Sequence, residues 1–503
     1  MKARKILFVE LDGATWDVIN PLLEADKLPN IQSVISKGVS GPLSSIPPLV
    51  SPKIWTSIFS GKCAAKTGIE FFGANANMVT CKRIWDILEE RGLTVGVCGT
   101  FVTWPPRDIN GFMIPSVDSL GTETYPSEYS PYQEVALNET RKGKALGGRY
   151  ASYLPYLYYA REFKKMGVST RTLFDMCKLA LGEKSGMFSP EKIQWEKAAA
   201  HLRSFTDLFL HLYGRFAPDF STFHIHICDY ISHRFWKFYE PGEFSDVDLE
   251  KVRRYGKVIP EAYMEADMAI GKIVDKVSPD GLIIASDHGF QALPERGYDF
   301  QHELILEILG MKEKAIVIPC GGGIYLKFLD DKLSDGAGNI LKQAYLEETG
   351  DRIYHVKRMG NVLLVTKPTW KIDKKHIRDD APVRFGDRGI YKLGELFSEG
   401  QMSGWHSEEG IIAVTGPGIK AGSKVEGASV YDLTPTILYM LGYPAAKDMD
   451  GKILASIFEK DVLDRYPPEY VDSYEETVRD VETGQEDIDY KKTEERLKSL
   501  GYL

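Results

Sequence analysis

Ile6-Leu7-Phe8-Val9-Glu10-Leu11-Asp12-Gly13 is a short apolar run that ends in a carboxylate and turns at a glycine. Two distant runs repeat the pattern, Phe223-His224-Ile225-His226-Ile227-Cys228-Asp229 and Gly281-Leu282-Ile283-Ile284-Ala285-Ser286-Asp287. Short runs rich in Ile, Val and Phe mark buried parallel strands, and open α/β sheets collect ligands at the carboxyl ends of such strands. Two of the carboxylates bring a histidine with them, as Asp229 to His233 and as Asp287-His288. Carboxylates and imidazoles at strand ends are the ligand set of a two-metal site.

Strand and helix signals alternate outward from these runs. Residues 15–24 and 30–37 carry helical apolar spacing, with Pro29 between them and Gly38 as a stop. Ile84 to Arg91 reads as a helix closed by Gly92, and Thr94 to Cys98 as a strand ending at Gly99. The alternation returns near residues 190–300 and 410–445, which predicts a discontinuous α/β core. The expected division is core at 1–119, 216–294 and 401–459, a helical Tyr-rich cap insertion at 120–215, a mixed second cap at 295–400, and a charged tail at 460–503. The two caps are expected to cover the carboxyl edge of the sheet and shape a pocket. The aromatic stretch at 153–160 reads as packing surface, and the tail as a surface helix wrapping the core.

The 503 residues contain no linker or low-complexity stretch, so one large core is expected. A formal net charge of -9 argues against a nucleic-acid duplex as partner, because a phosphate backbone demands a basic face. The six cysteines are scattered, with no C-x-x-C pair, and read as thiols of a reducing compartment. Glu10 and Asp12 interrupt the first apolar run, so it reads as a strand and not as a leader. No segment approaches the roughly 18 apolar residues of a membrane span. A soluble, cytoplasmic protein is the expectation.

Individually the candidate site residues have ordinary explanations. Asp12 before Gly13 could be a turn former. Ser51-Pro52 ahead of an apolar-periodic stretch closed by Gly61 reads as a helix with Ser51 at the N-cap and Pro52 in first position. The start of that helix favours an anion, which suits an activated hydroxyl there. Asp229 is placed at a strand end with His233 four residues beyond, a spacing that turns both side chains toward one ion. His224 and His226 share one face of the same strand and read as core or sheet-face histidines. His406, in Gly404-Trp405-His406-Ser407, is expected in a polar loop before a strand. Together, Asp12, Asp229, Asp287, His233, His288, His406 and Ser51 suffice for two ions with mixed oxygen and nitrogen ligands. Such ligands suit zinc best, and also manganese.

These residues resemble the alkaline phosphatase superfamily, and within it the type I phosphodiesterase/nucleotide pyrophosphatase branch. The resemblance rests on Leu11-Asp12-Gly13, the segment from Ser51-Pro52 to Ser60-Gly61, Gly68-Ile69, Asp229 to His233, Ser286-Asp287-His288-Gly289, Gly404-Trp405-His406 and Asp432-Leu433-Thr434-Pro435-Thr436. It implies an alkaline-phosphatase-like α/β core, with a mostly parallel central sheet flanked by helices and two cap insertions. It further implies one ion on Asp229, His233 and His406 and another on Asp12, Asp287 and His288, with Ser51 bridging toward it. Ser51 is then the nucleophile that forms a phosphoseryl intermediate on a small phosphorylated substrate, most naturally a phosphodiester.

The branch usually has His before the Gly-Ile pair and an Asn after it, where this chain has Thr67 and Phe72. Asn75 and Asn77 are near enough in sequence to serve instead, and Lys53 is a third candidate substrate contact. Phosphomonoester or phosphonate hydrolysis is the alternative. A phosphoglycerate-mutase-like transfer and a non-catalytic binding protein stand further back.

Overall fold

The computed structural model describes residues 3–70, 72–141, 154–244, 247–293, 298–312, 314–320, 323–328, 330–366, 379–399 and 402–475. Its main sheet has nine strands. In chain order they are β1 (Ile6–Leu11), β2 (Val39–Ser44), β3 (Val95–Cys98), β4 (Gly111–Ile114), β5 (Phe220–Ile225), β6 (Gly281–Ala285), β7 (Glu409–Thr415), β8 (Ser423–Lys424) and β9 (Ala428–Ser429). Their spatial order is β8-β2-β7-β6-β1-β5-β3-β4, and β9 also pairs with β2. β1 lies parallel to β5 and β6, and β3 parallel to β4 and β5. β7 runs antiparallel to both of its neighbours. The expected mostly parallel α/β sheet is therefore what the chain forms, and the run at Ile6–Leu11 lies inside it, buried at every position.

Alternation along β1 feeds two cores. Leu7, Val9 and Leu11 join one apolar cluster, and Ile6 and Phe8 join the other. The first cluster is covered by α1 (Trp16–Glu24), α2 (Pro29–Lys37), α4 (Pro190–Phe216), α5 (Ile227–Tyr239) and α6 (Val258–Val277). The second is covered by α3 (Ser51–Ser60), the helix Ile84–Glu90 and α7 (Leu433–Met440). At about 1.5–3 kcal/mol for each fully buried large apolar side chain, these two faces are the main source of stability.

Several boundaries differ from the sequence expectation. The segment 120–215 is not a separate cap: Tyr129, Tyr132, Phe163, Leu202 and Phe205 are buried in the same cluster as β1, and α4 forms a layer on the sheet. Helices with a single apolar side have no core of their own here and use the sheet's. Residues 142–153, and the side chains of 154–158, lie outside the described residues, so the aromatic stretch is described only in part. The start of the charged tail belongs to the body. Tyr470–Val471 pairs with Ala445–Ala446, Tyr474 is buried, and Glu475 pairs with Lys62 at 3.0 Å. The expected tail helix near residue 494 lies outside the described residues.

Residues 298–399 make a unit with its own core. Four antiparallel strands run in the order His355–Met359, Val362–Thr366, Gly323–Phe328, Ala315–Cys320. Ile324, Leu326, Phe328, Leu341, Val365 and Phe385 fill the cluster behind them. Among the described residues no helix is long and apolar enough to cross a membrane, and Cys63, Cys81, Cys98, Cys177 and Cys228 are free thiols.

Candidate metal centre

The carboxyl ends of β1, β5 and β6 lie side by side, and the site is built there. Asp12 follows β1 directly, and its N–H donates to Ile225 O at 3.1 Å, so the sheet register continues to Asp12 itself. Gly13 turns the chain at φ +64, where a Cβ would stand 3.0 Å from the Asp229 Cβ. Glycine is therefore required both for the turn and for the close approach of α5. The Gly13 N–H donates to Asp287 Oδ1 at 3.3 Å, linking the ends of β1 and β6. Ser286 donates its hydroxyl to Ala14 O and accepts from Ile411 N–H, which ties the β6 end to β7.

Three placements correct the sequence expectation. Asp229 and His233 are not at the end of a strand: β5 stops at Ile225, and both residues sit on α5, one turn apart. The four-residue spacing brought them together as helix geometry, not as a strand-end turn. His406 is in a strand, Gly404–Ser407, paired antiparallel with Gly289–Ala292 so that His406 faces Phe290. Ser51 does not cap its helix: Val50 holds the cap position, no side-chain cap bond forms, and Ser51 opens the first turn. Its hydroxyl lies instead 3.3 Å from His288 Nε2.

The seven residues converge. His233 Nε2 and His406 Nε2 are 3.0 Å apart, and each is 3.3 Å from Asp229 Oδ1. His288 Nε2 lies 3.3 Å from Asp287 Oδ2, 3.8 Å from Asp12 Oδ1 and 4.0 Å from Asp229 Oδ1, between the two groups. The three imidazoles are oriented alike. His233 Nδ1–H donates to Gly404 O at 3.1 Å, His288 Nδ1–H to Gly289 O at 3.0 Å and His406 Nδ1–H to Leu49 O at 3.1 Å. This assignment turns every Nε2 lone pair inward.

Those bonds make the fit to a cation testable. With Nδ1 donating, His233 and His406 present lone pairs to each other and to a carboxylate, an arrangement that calls for a positive centre. Two ligand atoms about 2.0–2.1 Å from a tetrahedral ion stand about 3.3 Å apart, which matches the Asp229, His233 and His406 triangle. Asp12 Oδ1 and Asp287 Oδ2 are buried oxygens without a hydrogen-bond partner. The ligand atoms of Asp12, Asp287 and His288 lie within 4.8 Å of one another, as do those of Asp229, His288 and His406. The residues therefore fit divalent metal.

Electrostatics agree. Burial, and then the Asp12 charge, hold the Asp287 carboxyl well above the usual range. Burial and the Asp229 charge push Asp12 upward too, but hydrogen bonds with His224 and His226 outweigh them and hold it low. Burial raises Asp229, and His233 and His406 more than reverse that. His288 is driven down to about 3 by burial and by His406. Buried carboxylates this close do not ionise together without a counter-charge.

Sequence reasoning missed the support behind Asp12. His224 Nδ1 is 3.0 Å from Glu10 Oε2, and His224 Nε2 and His226 Nδ1 lie 3.3 and 2.9 Å from Asp12 Oδ2. Glu10 and His224 are register partners on β1 and β5. The expected shared strand face does not form, because β5 ends at Ile225 and His226 stands at the N-cap of α5; the pair became readable only once the strand's partner was known.

The three candidate substrate contacts separate. Lys53 is buried, its amine pushed down to about 8 by burial, with Glu70 raising it and Lys357 of the 298–399 unit lowering it. Asn75 Oδ1 accepts from Asn77 N–H at 3.0 Å, and Asn75 lines a small cleft with Trp104, Ser116 and Ser119 rather than with the seven residues. Its amide oxygen is used as a local cap.

The match to a family model places the chain among enzymes that act on phosphoric ester bonds. Residues 6–407 match the model of the type I phosphodiesterase/nucleotide pyrophosphatase family, and the chain belongs to that family. Human ectonucleotide pyrophosphatase/phosphodiesterase 5 is similar with a TM-score of 0.48 and 12% identity, covering 90% of this chain and 100% of that one. An inactive form of the murine counterpart, in complex with AMP, is similar with a TM-score of 0.46 and 13% identity, covering 91% and 100%. No curated protein matches the sequence.

Proposed function

We propose that this hydrolase is a phosphodiesterase that uses two divalent ions, zinc best and manganese second, and Ser51 as its nucleophile. The observation that carries the proposal is the Ser51 hydroxyl 3.3 Å from His288 Nε2, at the rim of a buried cluster of inward-facing acceptors. Asp12, Asp287 and His288 would hold one ion beside Ser51, and Asp229, His233 and His406 the other. When bound, such ions lower the pKa of a hydroxyl and of water and offset charge on a leaving oxygen.

The chain's own residues supply the rest. The buried start of α3 fixes Ser51 Oγ and gives it the positive end of a helix dipole. Deprotonated Ser51 Oγ bonds to phosphorus as the ester bond opposite breaks; the leaving oxygen departs as an alcohol, taking up a proton to replace the one Ser51 gave to solvent, and a phosphoseryl group remains. Water then attacks that phosphorus, the bond to Ser51 Oγ breaks, and the hydroxyl regains its proton. The three Nδ1–H bonds to backbone carbonyls keep the imidazoles from swinging during both displacements. The five free thiols support a reducing, cytoplasmic setting.

One observation favours phosphomonoester or phosphonate hydrolysis as a second reading: Lys53 is a buried cation with Lys357 close by, and a dianionic ester would use that charge. A substrate panel decides between them. Under saturating metal, bis-p-nitrophenyl phosphate is expected to turn over faster than p-nitrophenyl phosphate, a phosphonate ester or a sulfate ester. A monoester preference of orders of magnitude would overturn the diesterase assignment.

A further inference from the structure

The inner side of helix Thr170–Lys184 is accounted for: Leu173 and Met176 pack against the main apolar cluster, and the Thr172 hydroxyl donates to Asp207. On its outer side Arg171, Phe174, Lys178 and Leu181 recur at helical spacing, and all four are exposed. Phe174 is 70% exposed and Leu181 56%; Met187, held beside the helix end by its N–H bond to Gly182 O at 3.1 Å, is 74% exposed. Phe174 and Met187 are the two most exposed large apolar side chains among the described residues. We propose that this face docks reversibly on an anionic lipid surface, with Phe174, Leu181 and Met187 entering the headgroup layer and Arg171 and Lys178 meeting its charge.

Charge selects the occupant. The chain carries a net -9, yet between residues 161 and 187 the bases Arg161, Lys164, Lys165, Arg171, Lys178 and Lys184 outnumber the acids Glu162, Asp175 and Glu183. Each of those acids is paired: Glu162 with Lys165 at 2.7 Å, Glu183 with Lys197 at 2.8 Å and Asp175 with Arg203 at 4.0 Å. Arg171 and Lys178, which flank Phe174 on the outer face, have no ion pair among the described residues. Apolar side chains set among free cations are the pattern of a helix that lies in a membrane interface, where the first bury apolar area and the second are drawn to anionic lipid. A second copy of the chain fits less well, because a two-fold contact through this face would bring its unpaired cations together. No helix among the described residues is long and apolar enough to cross a membrane, so the contact is peripheral.

Vesicle sedimentation of the full chain tests it. The wild type should sediment with vesicles of phosphatidylcholine containing about 30% phosphatidylserine, stay in solution with phosphatidylcholine alone, and be released by about 0.5 M salt. Arg171→Glu/Lys178→Glu and Phe174→Ser/Leu181→Ser should each weaken binding by at least about tenfold while keeping the wild-type unfolding midpoint, since all four side chains are exposed. Tryptophan emission from Leu181→Trp, taken as a difference from the wild type, should shift to the blue when anionic vesicles are added. Binding to neither vesicle, or equally to both, overturns the proposal. Binding that survives in both double variants puts the contact elsewhere and overturns it too. Loss in the charge variant alone, with no blue shift, means adsorption by charge without apolar entry and overturns the assignment to this face. A wild-type dimer that Phe174→Ser/Leu181→Ser breaks would make the face a contact between copies, again against the proposal.

Discussion

The nine-stranded body and the unit at 298–399 bury different things. The body encloses Glu10, Asp12, Lys53, Asp207, His224, Asp229, His233, Asp267, Asp287, His288 and His406. Among the described residues of 298–399, no Asp, Glu, Lys, Arg or His side chain is buried, and its interior is an aliphatic and aromatic cluster. Burying a charge costs several kcal/mol unless a partner offsets it, so a body with this many buried charges is organised around them. The smaller unit meets ordinary packing demands only. The candidate site residues all lie in the body, and Lys357 brings charge of the smaller unit to bear on Lys53.

The largest effect that could break this contrast is at Ser51. Ser51→Ala should lower turnover by about three orders of magnitude or more while leaving metal content unchanged, measured on the same preparation. Wild-type turnover in that variant would mean that another residue attacks. Asp287→Asn should come next, because it removes a ligand charge from a buried cluster; an activity loss of at least about 100-fold with a fall in bound metal is expected. Full metal content in Asp287→Asn would remove this residue from the ligand set.

A matched pair of core truncations sharpens the comparison further. Ile284, on β6 three residues before Asp287, and Leu326, in the 298–399 cluster, are both fully buried. Each truncation to Ala should cost about 2–5 kcal/mol, read from denaturant unfolding. Their effects on catalysis should differ. At a temperature where both variants remain folded, Ile284→Ala should lower kcat because it loosens the strand that carries Asp287, whereas Leu326→Ala should alter KM or substrate choice. Equal losses of kcat in the two variants would show that the unit takes part in the chemistry.

The same contrast explains what the sequence made legible. Asp12 and Asp287-His288 could be read because a buried parallel strand is an apolar run and these residues stand just past its carboxyl end. Ser51 was found through its helix, but as a cap, since Ser-Pro before an apolar stretch looks alike whether the helix begins at Ser51 or after it. His406 was placed in a loop because its strand exists only by pairing with Gly289–Ala292, more than a hundred residues away. Glu10 and His224 were unreadable as partners for the same reason: cross-strand register is long-range information. Of the short strands between 298 and 399, those at Ala315–Cys320, Gly323–Phe328 and Val362–Thr366 were legible as apolar runs, but their antiparallel pairing was not. Residues 120–215 looked like an insertion because helices show no outward sign of which core they pack against.

The smallest effect tests charge burial away from the site. Asp207, on α4, accepts from Ser169 N–H at 2.9 Å and from the Thr172 hydroxyl at 2.8 Å, and pairs with Lys272 of α6, so it fastens the start of helix Thr170–Lys184 to the body. Burial pushes its carboxyl up, but the Lys272, Ser169 and Thr172 bonds outweigh this and hold it below the usual carboxylate range. A carboxyl whose pKa is lower in the folded chain than in the unfolded one contributes stability at neutral pH, and that contribution fades as pH falls below the unfolded value near 4. Asp207→Asn should therefore be less stable than the wild type at pH 7, by up to about 2 kcal/mol given that Lys272 is half exposed. The gap should close on acidification, because the wild type loses what the variant never had. Asp335→Asn, which removes the exposed partner of Arg358 at 2.8 Å in the 298–399 unit, should change stability by less than about 0.5 kcal/mol at either pH. A gap for Asp207→Asn that stays constant from pH 7 to pH 3 would mean that the carboxylate's shape, and not its buried charge, holds the helix.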